Sequence, residues 1–273
     1  MTTKTIPFWK MHGAANDFIV VDDRALTFPC DDSAWLAAIM ARRTGVGAEG
    51  VLLIQPSEIA DFRMRFFNPD GGEVDMCGNG ARCIARLASE IGAAPAKMRI
   101  DTLAGIVQAE VSGDQVKLVM TDPHTWITGD TLELAGKTYP FMHVNTGVPH
   151  VVIEMDDLAA TDVQTLGAAI RYHEKFAPKG TNANFIRLDE QSRLHVRTYE
   201  RGVEAETLAC GTGMVACALV AGKLGRVTPP VKVIPASGDL LEVDYQLTAD
   251  GAANVTLLGP AVHVFQGNLT HHG

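Results

Sequence analysis

Two stretches of the chain, EVDMCGNGARCIARLASEIG (Glu73 to Gly92) and ETLACGTGMVACALVAGKLG (Glu206 to Gly225), are copies of each other at a constant offset of 133 residues. Cys77 and Cys210, Gly78 and Gly211, Gly80 and Gly213, Ala85 and Ala218, and Gly92 and Gly225 all keep that offset. Seven of the 20 positions are identical, whereas chance at ordinary residue usage gives roughly one or two. A chain that repeats itself in this way is constrained to fold as two similar halves.

Spacing gives the local structure of each copy. Ile84, Leu87, Ala88 and Ile91 fall at i, i+3, i+4 and i+7, as do Cys217, Val220, Ala221 and Leu224, so each copy reads as a helix with one apolar face. Each copy ends in glycine, a common residue just beyond a helix C-terminus. Upstream lie the strand-like runs FRMRFFN (Phe62 to Asn68) and LHVRTYER (Leu194 to Arg201). Each half therefore reads strand, polar turn, cysteine, buried helix, with its cysteine at the helix N-terminus.

That position has chemical consequences. The first N–H groups of a helix lack intrahelical partners and carry partial positive charge, which favours thiolate over thiol. The glycines beside each cysteine let a ligand approach those amides closely, so each turn can hold a carboxylate. Two such turns facing one small anion would let one thiolate remove a proton from a carbon while the other thiol delivers one to the opposite side.

Six further blocks carry a resemblance. MHGAANDF (Met11 to Phe18), FFNPDGGEVDMCGNGARC (Phe66 to Cys83), NTGVPH (Asn145 to His150), GTNANF (Gly180 to Phe185), YERGVEAETLACGTG (Tyr199 to Gly213) and GPAVHVFQG (Gly259 to Gly267) together resemble the diaminopimelate epimerase family, over essentially the whole chain. The resemblance implies a cofactor-independent isomerase that interconverts LL- and meso-2,6-diaminopimelate, an intermediate of lysine and peptidoglycan precursor biosynthesis, with Cys77 and Cys210 as the acid/base pair. It implies that the amides of Gly78 and Asn79, and of Gly211 and Thr212, hold the reacting α-carboxylate. Asn16, Asn68, Asn182, Glu200 and Arg201 match positions that recognise the substrate, chiefly its distal amino-acid head, and His150 matches a residue that supports the site; with Glu200 it joins the two cysteines in the catalytic set. A guanidinium from Arg201 on a carboxylate and a carboxylate from Glu200 on an ammonium suit a zwitterionic group.

Two positions depart from the family pattern: Val148 stands where many members place a substrate-binding Asn, and Gly50 where some place Gln. Each lacks a polar contact to substrate. A related amino-acid racemase on the same frame is one competing reading, although the proline racemase group typically reads MCGHG where this chain has MCGNG. A redox-responsive dithiol protein, in which Cys77 and Cys210 form a reversible disulfide, is another, and a non-catalytic amino-acid binding protein is a third. Taken singly, His150, Asn16 and Asn182 read as packed or turn residues, and Glu200 with Arg201 as a solvated pair. Cys30, Cys83 and Cys217 read as small buried hydrophobes. No C-x-x-C pair and no H-E-x-x-H occurs, so no metal site is expected.

Composition sets the remaining bounds. With 273 residues, 47% hydrophobic, the chain can bury two cores, and 23 basic against 32 acidic residues give a net charge of -9 that argues against nucleic acid as partner. The N-terminus MTTKTIPFWK lacks a signal-peptide apolar region, no run approaches a membrane span, and five cysteines, an odd number, favour a reducing compartment, so a cytoplasmic enzyme is expected. The expected fold class is α+β: two pseudo-symmetric domains, each a barrel-like, mostly antiparallel sheet around a central helix, with the active site in the cleft between them. By the resemblance, domain one is residues 1–120 plus 261–273, domain two is 121–260, and the assembly is a homodimer. DDSAWLAAIMARR (Asp31 to Arg43) and TDVQTLGAAIRYHEKF (Thr161 to Phe176), the second opening with a Thr-x-x-Gln capping box, are the other expected helices.

Overall fold

The computed structural model describes residues 3–272; Met1, Thr2 and Gly273, assigned to domain one from the sequence, lie outside the described residues. The chain divides into two compact units, Met1–Leu118 with Gly259–Gly273, and Val119–Leu258. Four α-helices are present among the described residues: α1 (Ser33–Met40) and α2 (Gly78–Glu90) in the first unit, α3 (Val163–Arg171) and α4 (Gly211–Lys223) in the second.

The two units repeat one strand order. In the first, Thr3–Gly13 pairs antiparallel with Asn16–Asp22, which runs parallel to Gly50–Gln55 after a crossover containing α1. Gly50–Gln55 then pairs antiparallel with Phe62–Phe67, which runs parallel to Lys97–Thr102 after a crossover containing α2. In the second unit Lys137–Asn145, Pro149–Glu154, Asn182–Leu188, Leu194–Glu200 and Val231–Ile234 pair in the same sequence of antiparallel and parallel steps, with α3 and α4 in the two crossovers. The class is α+β, as the duplication implied.

Burial explains the strand composition. Ile19, Val21, Val51 and Leu53 join a core with Leu36, Ile39 and Met40 of α1, while the alternate residues Phe18 and Leu52 approach Gly80 of α2. Both faces of these strands are covered, so they read as the continuous apolar runs FIVV and VLLI rather than as alternating ones. In the second unit Val151, Ile153, Ala183 and Phe185 pack on the α3 side with Val163 and Ile170. Strand alternation therefore turns His150, Asn182 and Asn184 to the other face, where α4 packs against both strands. That face is polar at one end, where His150, Asn182 and Asn184 lie.

Two helix boundaries differ from the sequence reading. α1 stops at Met40, not Arg43, because the chain turns at Ala41 and the following loop folds back: Val46 N–H donates to Ile39 O at 2.8 Å and Ala48 N–H to Met40 O at 3.0 Å. α3 is capped by Asp162, whose carboxylate accepts from Thr165 N–H at 3.0 Å, and not by a Thr161–Gln164 box. Thr161 instead donates its hydroxyl to Asp157 O at 2.8 Å. Asp is at least as good a cap as Thr and lies one residue further on. The helix ends at Arg171, and Glu174–Phe176 forms a separate 3-10 turn. Gly92 and Gly225 follow α2 and α4 with φ of +67° and +69°, the left-handed conformation in which glycine ends a helix without strain.

Candidate active site

Cys77 and Cys210 are the N-cap residues of α2 and α4, each in extended backbone, so in both units the cysteine sits at the helix end whose first N–H groups have no intrahelical acceptor. Cys77 is half-buried and Cys210 buried. A bidentate ion pair steadies the hairpin before each turn: Arg65 donates to Glu73 at 2.8 and 2.7 Å, and Arg197 to Glu206 at 2.7 and 2.7 Å.

In the first unit, Cys77 Sγ lies 3.5 Å from Asn16 Oδ1. The amide nitrogen of Asn16 donates to the Glu49 carboxylate, which turns the Asn16 oxygen toward the sulfur. Asn79, buried one residue into α2, accepts from Arg82 Nη2 at 2.9 Å, and Arg82 Nε donates to Pro260 O at 3.3 Å. Asn68 is half-buried in a tight turn, its N–H donating to Gly72 O at 2.8 Å and its carbonyl accepting from Gly71 N–H at 2.8 Å.

The second unit carries a longer network. His150 is fully buried, with Nε2 3.0 Å from Thr212 Oγ1 and Nδ1 3.2 Å from Asn184 Nδ2. Thr212 Oγ1 lies 3.6 Å from Cys210 Sγ, and Thr146 donates its hydroxyl to Thr212 O at 2.9 Å. Burial, reinforced by His143 and Arg201, pushes the His150 pKa down to about 3, so the ring is neutral at physiological pH. Asn182 bridges two loops: its amide donates to Pro149 O at 3.0 Å and its oxygen accepts from Arg201 N–H at 2.8 Å. Glu200 accepts from the Thr207 hydroxyl at 2.9 Å. Within the second unit, then, His150, Thr212 and Cys210 come together as one cluster, and Asn182 with Arg201 as another.

The glycines after the two cysteines differ in what they permit. A Cβ on Gly78 would meet nothing within 4 Å, and one on Gly211 only Leu257 at 3.5 Å, so neither fold requires a glycine there. A Cβ on Gly213 would lie 2.6 Å from Asn184 Oδ1. The first glycine of each turn leaves space beside the helix N-terminus that a Cβ could occupy; the second of α4 admits a neighbouring side chain.

The comparisons with known proteins decide the family. The diaminopimelate epimerase family model matches residues 8–127 and 142–264. Diaminopimelate epimerase of Aquifex aeolicus is 42% identical over 275 residues, covering 96% of this chain and 97% of the relative. That of Archaeoglobus fulgidus is 42% identical over 278 residues, covering 97% and 96%.

The chain belongs to the diaminopimelate epimerase family.

Solved structures extend the likeness of fold. A phenazine biosynthesis protein of the PhzF family from Bacillus anthracis superposes with a TM-score of 0.74 at 19% identity, covering 97% of this chain and 99% of that one. A hydroxyproline epimerase from Agrobacterium vitis superposes with a TM-score of 0.68 at 17% identity, covering 99% and 92%. At these identities the likeness is one of fold.

Against the diaminopimelate epimerase pattern, Gly50 has a packing reason: a Cβ there would lie 2.3 Å from Phe66 Cε2. Val148 sits in a tight turn where its carbonyl accepts from Thr146 N–H at 3.1 Å. The remaining cysteines behave as core: burial pushes the Cys83 thiol up to about 12 and Cys217 well above its ordinary value, and Cys30 is also raised by burial. Among the described residues, no group of three or more His, Cys, Asp or Glu side chains could hold a metal ion, and no helix is long and apolar enough to cross a membrane. A surface cavity of about 700 Å³ lined by Asp23, Cys30, Asp32, Gln55, Arg65 and His271, among others, includes none of the expected site residues.

Sequence reasoning missed Asn184, Thr198 and Glu49. Asn184 was legible in principle: it lies two residues after Asn182 on a strand, so the two share a face. Thr198, which donates to Asn184 Oδ1 at 3.0 Å, stands opposite Asn184 in the antiparallel register, a pairing that sequence spacing does not give.

Proposed function

We propose that this chain epimerises LL- and meso-2,6-diaminopimelate by a two-base reaction at one α-carbon, with Cys77 and Cys210 as the acid/base pair and no cofactor. The observation that carries the mechanism is the duplication of one device: a cysteine at a helix N-cap, followed by a glycine whose missing Cβ no packing demands. Membership of the family supports the substrate.

In this reading one thiolate takes the α-proton and the C–H electron pair delocalises into the α-carboxylate. The amides of Gly78 and Asn79 and of Gly211 and Thr212 stabilise the negative charge that develops there. The other thiol gives its proton to the opposite face of the carbon, inverting it. The two sulfurs have then exchanged protonation states, and solvent exchange restores them. Both thiols must reach one carbon from opposite sides. Asn16, Asn68, Asn182, Glu200 and Arg201 recognise the substrate, and His150 supports Thr212. We further read the protein as a cytoplasmic homodimer, on the family resemblance and on the need for reduced thiols.

Incubation of the reduced protein with LL-diaminopimelate in D₂O tests the reading. Formation of meso product with deuterium at the inverted α-carbon is expected; no exchange and no product from fully reduced protein would overturn it.

A further inference from the structure

The two units differ at one point of their shared strand order. Asp23 N–H donates to Ile54 O at 2.9 Å, one residue past the paired Asp22 and Ile54, and Met155 N–H donates to Ile186 O at 2.9 Å, one residue past the paired Glu154 and Ile186. Asp23 and Met155 therefore occupy the same place in the duplicated pair of parallel strands. In the second unit that place is apolar, and Met155 packs on the core. In the first it holds a carboxylate that is 3% exposed. The repeated fold does not require an anion there, and burying one is costly unless it gains a partner.

Asp23 lines the surface cavity of about 700 Å³ beside the N-terminus of α1, within the size range of small-molecule sites. Its Oδ1 accepts from Thr27 N–H at 2.7 Å and Phe28 N–H at 2.8 Å, and its Oδ2 accepts from Gln55 Nε2 at 2.7 Å. Because a carboxylate only accepts, Gln55 turns its amide nitrogen to Asp23 and its oxygen away. Gln55 is 8% exposed and lines the same cavity, and its oxygen has no protein partner among the described residues. An acceptor held at that depth calls for a donor.

The cations nearby are engaged elsewhere. Arg65 donates to Glu73 at 2.8 and 2.7 Å, His271 Nε2 lies 3.1 Å from Asp32 Oδ2, Arg24 donates to Asp22 at 2.8 and 2.7 Å, and the Lys4 ammonium donates to Thr27 O. Among the described residues no cation pairs with Asp23 or with Asp31, an exposed residue that lines the cavity at the other end of the same loop. Leu26, Phe28 and Pro29, between them in the chain, give the cavity apolar surface. The lining thus offers a carboxylate and an amide oxygen at depth, a second carboxylate at the surface, and apolar side chains.

We propose that this cavity binds an aliphatic diamine, with one ammonium donating to Asp23 Oδ2 and Gln55 Oε1, the methylenes against Leu26, Phe28 and Pro29, and the second ammonium on Asp31. An ammonium brings three donors, enough for both deep acceptors. A bare metal ion suits the lining less well, since no group of three or more His, Cys, Asp or Glu side chains among the described residues could hold one. Neither Cys77 nor Cys210 lines the cavity, so the site stands apart from the proposed reaction.

The probe is 1,5-diaminopentane, followed by ¹H–¹⁵N NMR on the reduced full chain. The Thr27 and Phe28 amides and the Gln55 side-chain amide, all bonded to Asp23, should shift saturably. Gln55→Met, which removes the oxygen, should weaken binding about tenfold, and Asp31→Asn, at an exposed position, about two- to fivefold. Pentylamine, which lacks the second ammonium, should bind the unsubstituted chain more weakly by about the factor that Asp31→Asn costs the diamine. Absence of saturable shifts at these three groups, affinity that neither variant changes, pentylamine binding as tightly as the diamine, or the same shifts from magnesium chloride alone would each overturn the assignment. Should Gln55→Met fail to fold, Asp31→Asn and the pentylamine comparison decide the point, because neither disturbs the core.

Discussion

His150 Nε2 and Thr212 Oγ1 lie 3.0 Å apart, joining the strand Pro149–Glu154 to the first turn of α4 at the residue that follows Gly211. The contact sets a fully buried histidine against Thr212, which follows the Cys210 N-cap by two residues and whose hydroxyl lies 3.6 Å from the Cys210 sulfur. Its ring cannot serve as an imidazolium acid near neutral pH, because burial holds its pKa at about 3.

A stability consequence follows from that depressed value. An unfolded chain protonates histidine below about pH 6.5, whereas folded His150 stays neutral until about 3, so between those limits the unfolded state binds more protons. Stability associated with His150 is fully present above about pH 6.5 and declines as pH falls toward 3, by up to about 1.4 kcal/mol per unit. Denaturant unfolding at pH 7, 6 and 5 should show a shallower decline for His150→Gln than for the unsubstituted protein. Parallel declines would remove His150 from the acid sensitivity.

The glycines after the cysteines should separate binding from folding. Gly78→Ala places a methyl where nothing lies within 4 Å, so its melting temperature should stay the same or rise slightly while KM increases, because the methyl crowds the proposed carboxylate position at the helix N-terminus. Gly213→Ala drives a Cβ to 2.6 Å from Asn184 Oδ1 and should cost about 1–3 kcal/mol of stability. Calorimetry beside steady-state kinetics checks both; equal stability losses would contradict the distinction.

Arg201 is half-buried and hangs from Asn182, whose side-chain oxygen accepts its backbone N–H at 2.8 Å. Arg201→Ala should raise KM by about ten- to a hundredfold, the loss of one charge-assisted pair to a carboxylate, with a smaller effect on kcat. An unchanged KM would remove its assigned role.

Much of this was legible in the sequence because it depends on local chemistry. Cys77 and Cys210 at helix starts, Gly92 and Gly225 at helix ends, and the apolar faces between them all follow from residue type and spacing. The duplicated strand order follows from the 133-residue offset. What spacing could not give depends on register and on loops: the opposition of Thr198 to Asn184, the return of the 45–48 loop that stops α1 at Met40, and the choice of Asp162 over Thr161 as the α3 cap. Gly50 looked like a lost polar contact, but the Phe66 ring fills the space a side chain would need. Asn184 and His150 escaped notice as a pair because they come from neighbouring parallel strands, separated in sequence by α3.

The central claim is that each thiol performs one of the two proton transfers. It is tested most directly by the turnover of LL-diaminopimelate to the meso form by folded, reduced Cys77→Ala and Cys210→Ala proteins, each judged against the unsubstituted chain. The account predicts that both variants lose epimerisation, since the remaining thiol serves one face of the α-carbon and the opposite face is left without an acid or base. Retained turnover in either one would contradict it.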